Sequence, residues 1–328
     1  MRHLTIPRTD LSVSALCLGT GSYGDTVSDT QAAEQLDRFV AAGGNFIDTA
    51  NVYGRWTASG LNESERTIGR WLRRLPPSVA SELVVATKGA HPLMTDFMRP
   101  RLDRASIAQD LAESLDALGL ERIALYWLHR DDPDQDAGDV VDLMEEFVAQ
   151  GRIRWYGCSN WRSHRIEAAQ RHAERTGARG FVAVQDQWSL ARANPEAFPD
   201  ATHVSMDGTL GTFLGRSGLA MVPYTALAHG YFTKRLEAEA GGRPLDPALA
   251  AGFGNPLTDR RTASITALSA ERGVPASRLA LAWLMHQKIP TVPIVSFRTT
   301  AQLEDALAAA DVRLTPDEMA RLSCGQDG

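Results

Sequence analysis

Cysteine is scarce in this sequence. Three, Cys17, Cys158 and Cys324, stand far apart among 328 residues. An odd number at such spacing offers neither a disulfide framework nor a zinc motif, so a reducing, cytoplasmic setting is the simplest expectation. The opening Met1-Arg2-His3-Leu4-Thr5-Ile6-Pro7 lacks the apolar stretch of a secretion signal. No apolar run approaches the ~18 residues that suggest a membrane span. Long Lys/Arg blocks are missing too, and the net charge is −6, which excludes an ordinary nucleic-acid binder. Neither a G-x-G-x-x-G turn after the first strand nor a G-x-x-x-x-G-K-[ST] loop occurs, so a doubly wound dinucleotide domain and a P-loop are both unsupported. No metal ligand set stands out. The run Arg130-Asp131-Asp132-Pro133-Asp134 has a proline inside it and no His pair nearby, and reads as a capped, solvated loop.

Apolar material is ample. With 44% hydrophobic and 23% charged residues the chain can bury a full core. Length alone would allow two domains, but α/β barrels of this size run as one, so a single domain over 1–328 is expected. Residues 3–14 alternate around the turn Pro7-Arg8-Thr9-Asp10 and read as a hairpin ahead of the main fold. Short apolar strands follow at 15–18, 46–49, 83–87, 123–128, 153–156, 181–185, 220–224 and 291–294. Helical periodicity or caps place helices between them, as at 30–41, 62–72, 107–118, 140–149, 164–176, 259–272 and 277–287, with 300–310 and a helix from 315 closing the chain. The stretch 194–218 is irregular with a partial helix, and 228–256 reads as a long, variable Gly/Pro-rich segment. Strict alternation of eight strands with helices predicts a (β/α)8 barrel with an N-terminal hairpin closing its bottom and an extra C-terminal helix.

In such a barrel chemistry gathers at the C-terminal ends of the strands. Asp48 follows strand two, Lys88 strand three and His129 strand four, while Tyr53 lies in the loop after Asp48. Taken singly, each has a bland reading: a turn cap, a solvated lysine, a strand-end histidine, a half-buried aromatic. Taken together they form a proton donor. A tyrosine is a weak acid at neutral pH. A nearby ammonium favours its phenolate, an aspartate fixes and charges the lysine, and a histidine can orient a carbonyl oxygen.

These segments resemble the aldo-keto reductases, over nearly the whole chain. Gly44-Asn45-Phe46-Ile47-Asp48-Thr49-Ala50-Asn51-Val52-Tyr53-Gly54 is similar to that family's signature, Ala86-Thr87-Lys88-Gly89 to its lysine strand, and Ile123-Ala124-Leu125-Tyr126-Trp127-Leu128-His129 to its histidine strand. The resemblance implies Tyr53 as general acid/base, with Asp48, Lys88 and His129 completing a tetrad. It implies reduction of an aldehyde or ketone by NADPH, with NADH the less favoured cofactor and no metal. By the same resemblance Ser159, Asn160 and Gln185 would hold the nicotinamide carboxamide and Tyr224 would stack on the ring. Thr225, Ala226 and Leu227 would follow the pyrophosphate, and Ser296, Arg298, Gln302 and Asp305 would bind the adenosine end. Arg298 suits a 2′-phosphate because guanidinium makes bidentate, charge-assisted bonds. The chain departs from the family's pattern at Ser296, Gln302 and Ala306, where Gly or Lys, Arg, and Asn are common.

Trp56 and Trp188 are candidates to line the substrate pocket, whereas Cys158 reads as a buried filler and His91 and His229 as loop bystanders. Sugar-derived or other polar carbonyls are the substrates that analogy offers. Two other function classes stay open: a redox-sensing subunit that binds the cofactor with little turnover, and a barrel lyase or isomerase using Lys88 as a Schiff base. An intact tetrad and the absence of an added N-terminal interaction segment favour the reductase over the sensor. Oligomeric state is not legible.

Overall fold

The computed structural model describes residues 1–198, 200 and 202–324. Pro199 and Ala201, inside the irregular stretch, and 325–328, at the end of the expected domain, lie outside the described residues. An antiparallel hairpin of β1 (His3–Thr5) and β2 (Ser12–Ser14) comes first. The alternation then begins: β3 (Cys17–Gly19), α1 (Asp29–Ala41), β4 (Phe46–Asp48), α2 (Glu63–Leu72), α3 (Pro77–Ala80), β5 (Val84–Gly89), α4 (Arg104–Leu118), β6 (Ile123–Leu128), α5 (Ala137–Ala149), β7 (Ile153–Ser159), α6 (Ser163–Thr176), β8 (Ala183–Gln185), α7 (Gly208–Ser217) and β9 (Ala220–Met221). It ends with α8 (Tyr231–Ala240), α9 (Pro247–Phe253), α10 (Pro256–Arg272), α11 (Ala276–Met285), β10 (Ile294–Val295), α12 (Thr300–Ala309) and α13 (Pro316–Ser323). The eight strands from β3 to β10 are all parallel. Backbone bonds from Met221 N to Pro290 O (2.8 Å) and from Val292 N to Met221 O (2.9 Å) join β9 to the approach of β10 and close the (β/α)8 barrel.

Strand parity sorts the core into two layers. Phe46, Ala86, Leu125, Trp127, Ala183 and Ala220 fill the barrel interior, and Ile6, Leu11 and Val13 of the hairpin pack into the same cluster. Ile47, Val85, Tyr126, Leu128, Val184 and Met221, one residue out of phase, pack under the helices. The same parity decides what happens at the top of the barrel. Asp48 shares a face with Phe46, Lys88 with Ala86, His129 with Trp127 and Gln185 with Ala183, so these polar side chains inherit the inward direction at the point where apolar filling stops.

Local chemistry sets the element ends. Ser28 caps α1 in a capping box with Gln31, and Gly43, at φ 82°, turns the chain out of it. The last two strands are shorter or later than their apolar runs suggest. Pro223, Pro290 and Pro293 lack the N–H that would extend the ladder. The segment 228–256 is not a long open loop: it carries α8 and α9, the latter started by the Asp246 cap and Pro247. Its Gly/Pro density masked them. The Arg130–Asp134 run is likewise not a solvated loop at its start. Arg130 is buried against Asp200 (2.9 Å), and Asp131 pairs with Arg165 (3.1 Å). Among the described residues, no helix is long and apolar enough to cross a membrane.

Candidate functional site

The tetrad residues meet at the C-terminal mouth of the barrel. The Lys88 Nζ is paired with the Asp48 carboxylate and also donates to Thr49 O at 2.8 Å. Both side chains of this pair are almost fully buried. Gln185 Nε2 donates to the second Asp48 oxygen at 3.0 Å. Above the pair lies Tyr53, with its ring centroid 5.0 Å from Nζ. The His129 ring meets the Tyr53 ring edge-on, centroids 5.9 Å apart. The loop carrying Tyr53 is fixed from both sides. Gly54 takes φ 90°, a conformation that suits glycine, and Glu63 occupies the space a Cβ there would need. Arg55 donates to Asn51 O and Asn51 Oδ1, both at 3.0 Å, and pairs with Glu113 of α4.

Charge is organised by burial. Desolvation raises the Asp48 carboxyl above its ordinary value, with Lys88 opposing that shift. Burial works against the Lys88 ammonium, but Asp48 and then Tyr53 outweigh it and hold Lys88 above its usual range. Burial pushes the His129 imidazole well down, helped by His91 and Arg130, so the ring is neutral. Its Nδ1 is sealed away without a partner. A buried orphan N–H is disfavoured, so the ring proton belongs on Nε2.

Around this centre runs a cleft of ≈ 1210 Å³. All eleven residues expected at the cofactor, Ser159, Asn160, Gln185, Tyr224, Thr225, Ala226, Leu227, Ser296, Arg298, Gln302 and Asp305, line it. Several already have protein partners. Asn160 sits at φ 61° and donates its N–H to Asp186 Oδ1 (2.5 Å), while its Oδ1 accepts from Tyr224 OH (2.7 Å). Ser159 Oγ donates to Gln185 O (2.7 Å). Gln302 Oε1 accepts from the backbone N–H of Thr299 (3.3 Å) in the capping box of α12, and from that of Arg298 (3.0 Å). Asp305 accepts from Ser277 Oγ and Arg278 Nε, both at 2.7 Å. Arg298 is exposed and has no side-chain partner among the described residues.

Sequence reasoning missed part of this wall. Thr233 and Lys234 of α8 line the cleft beside Gly230, an N-cap with no side-chain bond. The signal was the Gly-x-x-Thr-Lys run at 230–234, lost inside a segment taken for loop. Positive φ at Thr225, Ala228, His229 and Gly230 turns backbone N–H groups around the same corner. Asp186, buried behind Asn160, was also missed.

Trp56, Met94, Phe97 and Phe198 also line the cleft, with His91, His203, His229 and Arg130. Trp56 lines this cleft, and its Nε1 donates to Asp25 at 2.9 Å. Trp188 does not line this cleft; it packs against Trp283 with centroids 5.5 Å apart. His91 and His229 are wall residues rather than bystanders, and the His91 ring lies 4.7 Å from His129. Cys158 is buried in the outer core, as a filler would be.

Comparison with known proteins covers nearly the whole chain. The sequence profile of the "Aldo/keto reductase family" matches residues 15–324. The chain is 29% identical to the "uncharacterized oxidoreductase YrpG" of Bacillus subtilis, over 98% of this chain and 95% of that protein. It is 29% identical to the "aryl-alcohol dehydrogenase [NADP(+)]" of Phanerodontia chrysosporium, over 97% of this chain and 84% of that one. Norsolorinic acid reductase B of Aspergillus parasiticus is also 29% identical, with 95% and 81% covered. Among solved structures, the thermostable aldo-keto reductase Tm1743 superposes with a TM-score of 0.71 at 22% identity, covering 99% of both chains, which is a likeness of fold.

Proposed function

The chain belongs to the aldo/keto reductase family of oxidoreductases, and on that premise we propose that it reduces an aldehyde or ketone to the alcohol with NADPH, Tyr53 delivering the proton. The observation that carries this reading is the buried Lys88–Asp48 pair beneath Tyr53, next to a neutral His129, on the floor of one long cleft.

The cleft's far end fits the phosphates of the cofactor. The N-termini of α8 and α12 face it, α8 without a side-chain cap. Lys234 lies beside the first and the free guanidinium of Arg298 beside the second. Helix N-termini and unpaired cations attract anions, and a second cationic point favours NADPH over NADH. When bound, the dihydronicotinamide supplies the hydride that reduces the carbonyl carbon.

The chain's own residues would do the rest. His129 Nε2–H and the Tyr53 hydroxyl converge on the carbonyl oxygen and stabilise the negative charge that develops there. Tyr53 then gives its proton to that oxygen, completing the alcohol. Lys88 places a positive charge under the resulting phenolate, and Asp48, fixed by Gln185, keeps Lys88 in position. Tyr224, Asn160 and Ser159 form the wall against which the ring would lie.

The aromatic rim runs against a sugar-like substrate. Trp56, Met94, Phe97 and Phe198 favour an aryl or other bulky apolar carbonyl, the class named in the aryl-alcohol relative. Stopped-flow oxidation of bound NADPH with a panel of aldehydes tests the proposal. Single-turnover oxidation should fall by roughly 10²–10⁴ in Tyr53→Phe, with NADPH binding retained. Binding without oxidation by any carbonyl would sink it.

A further inference from the structure

Directly after the Lys88 strand the backbone is held in an unfavourable shape. Ala90 sits at φ 61°, a left-handed conformation rare for a residue with a Cβ. Its N–H donates to Asp110 Oδ2 at 2.8 Å. Asp110 is gripped in turn by Arg101 through two bonds, of 2.8 and 3.0 Å, and the same guanidinium donates to His91 O at 2.9 Å. A nearly buried ion pair thus holds the chain on both sides of the strained residue. What the strain achieves is the placement of the next side chain, His91.

The His91 ring is defined as closely as its backbone. Nδ1 lies 2.7 Å from Pro92 O. A carbonyl can only accept, so Nδ1 carries the hydrogen. The ring is neutral: burial first, then Arg130, pushes it down to about 4. Nε2 is therefore a bare acceptor, since the ring's one hydrogen bond among the described residues is made through Nδ1, on a ring that lines the cleft. Phe97 packs edge-on against one side at 5.6 Å, and His129 stands at 4.7 Å. The two histidines have opposite polarity, since His129 presents an Nε2 donor and His91 an Nε2 acceptor. Nearby, Trp56 donates to Asp25, and Arg130 donates to Asp200 and to His129 O.

We infer that His91 is a specificity-determining residue whose Nε2 accepts a hydrogen bond from a hydroxyl on the carbonyl substrate, so that the site favours hydroxy-substituted aldehydes and ketones, aryl ones above all. This rests on the carbonyl-reduction reading and adds the substrate's second polar group. A ligand with a carbonyl oxygen for Tyr53 and His129, and an O–H on the same edge for His91, pairs the Nε2 atoms of both histidines.

The test uses 2-, 3- and 4-hydroxybenzaldehyde and the corresponding fluorobenzaldehydes, which are close in size but cannot donate, with NADPH and the intact enzyme. The hydroxy-to-fluoro ratio of kcat/KM is measured in wild type and in His91→Phe. Comparing the two proteins cancels the aldehydes' intrinsic reactivity. For at least one ring position the ratio should drop roughly tenfold in the variant, the effect of losing one such bond. His91→Gln, which keeps an acceptor, should restore part of it, and His91→Leu serves if the Phe variant does not fold. An unchanged ratio at all three positions in a folded variant overturns the inference while leaving carbonyl reduction intact. No NADPH oxidation with any aldehyde in wild type overturns both.

Discussion

Replacing Lys88 with Met removes the cation from the Asp48 carboxylate while keeping a side chain of similar length. Asp48 then retains the Gln185 amide at 3.0 Å and no charge partner in the barrel core. Breaking one side of a buried pair typically costs about 3–5 kcal/mol. Unfolding entropy near 2.1 cal/mol/K per residue gives about 0.7 kcal/mol/K for a chain of 328 residues, so the melting temperature should fall by about 4–7 °C at pH 7. The loss should depend on pH in a definite direction. Burial raises the Asp48 carboxyl, and Lys88 is the group that opposes it. Without Lys88, the folded-state pKa of Asp48 lies further above its unfolded value of ~3.9. Such a group contributes its full stability below the unfolded pKa and loses it as pH rises toward the folded one. The gap between wild type and Lys88→Met should therefore widen once the pH passes the folded-state pKa of Asp48 in wild type, itself raised by burial, by up to ~1.4 kcal/mol per pH unit, until Asp48 ionises in the folded variant. Asp48→Asn in the same chain removes the orphaned charge and should recover most of the stability, with no recovery of turnover. Thermal melts of the three proteins between pH 5 and 8, alongside NADPH oxidation assays, read this out. A variant gap that is flat with pH, or a double variant no more stable than Lys88→Met, would refute the reasoning.

Glu65 is buried among Thr87, Asn62 and Ser114, and burial raises its carboxyl to about 7. Wild type should lose stability relative to Glu65→Gln as pH rises from ~4.5 to about 7, by roughly 3 kcal/mol in all, and the difference should level off above that; denaturant melts across this window check it. Removing the free guanidinium in Arg298→Ala should weaken NADPH binding by roughly 10–100-fold and leave NADH binding within about twofold, as measured by fluorescence titration with each cofactor. Gly69 lets α2 approach α4 so closely that an added Cβ would land on the Ala117 carbonyl. Gly69→Ala should therefore destabilise by about 1–3 kcal/mol, visible as a lowered denaturation midpoint with an unchanged slope.

Much of this molecule was legible from residue order alone because its signals are local. Short continuous apolar runs, glycine and proline punctuation and helix periodicity and caps gave the strand–helix alternation, and the alternation admits one simple closure. The same order put Asp48, Lys88 and His129 at consecutive strand ends, which made the tetrad visible. Where local signals misled, a physical competitor can be named. Prolines 223, 290 and 293 shortened the last two strands by removing donors. Glycines and prolines hid α8 and α9, and with them Lys234. Arg130 and Asp131 looked solvated because their partners, Asp200 and Arg165, lie far along the chain. Trp188 faces Trp283 rather than the cleft, a choice between two sides of one loop that sequence does not encode locally.

By itself, then, the sequence determined the barrel, its parity and the residue types at its mouth, since each depends on neighbours within a few positions. Only the tertiary structure decided how those residues are charged and aimed. Against the pull of burial, the approach of Asp48, Tyr53 and Cys17 keeps Lys88 an ammonium, whereas burial with His91 and Arg130 nearby keeps His129 neutral. The turn that sets His91 against His129 depends on Asp110, held by Arg101, and Asp110 meets Ala90 only once α4 has packed onto the barrel. Desolvation and long-range pairing are properties of the closed fold, and they turn a row of strand ends into a site.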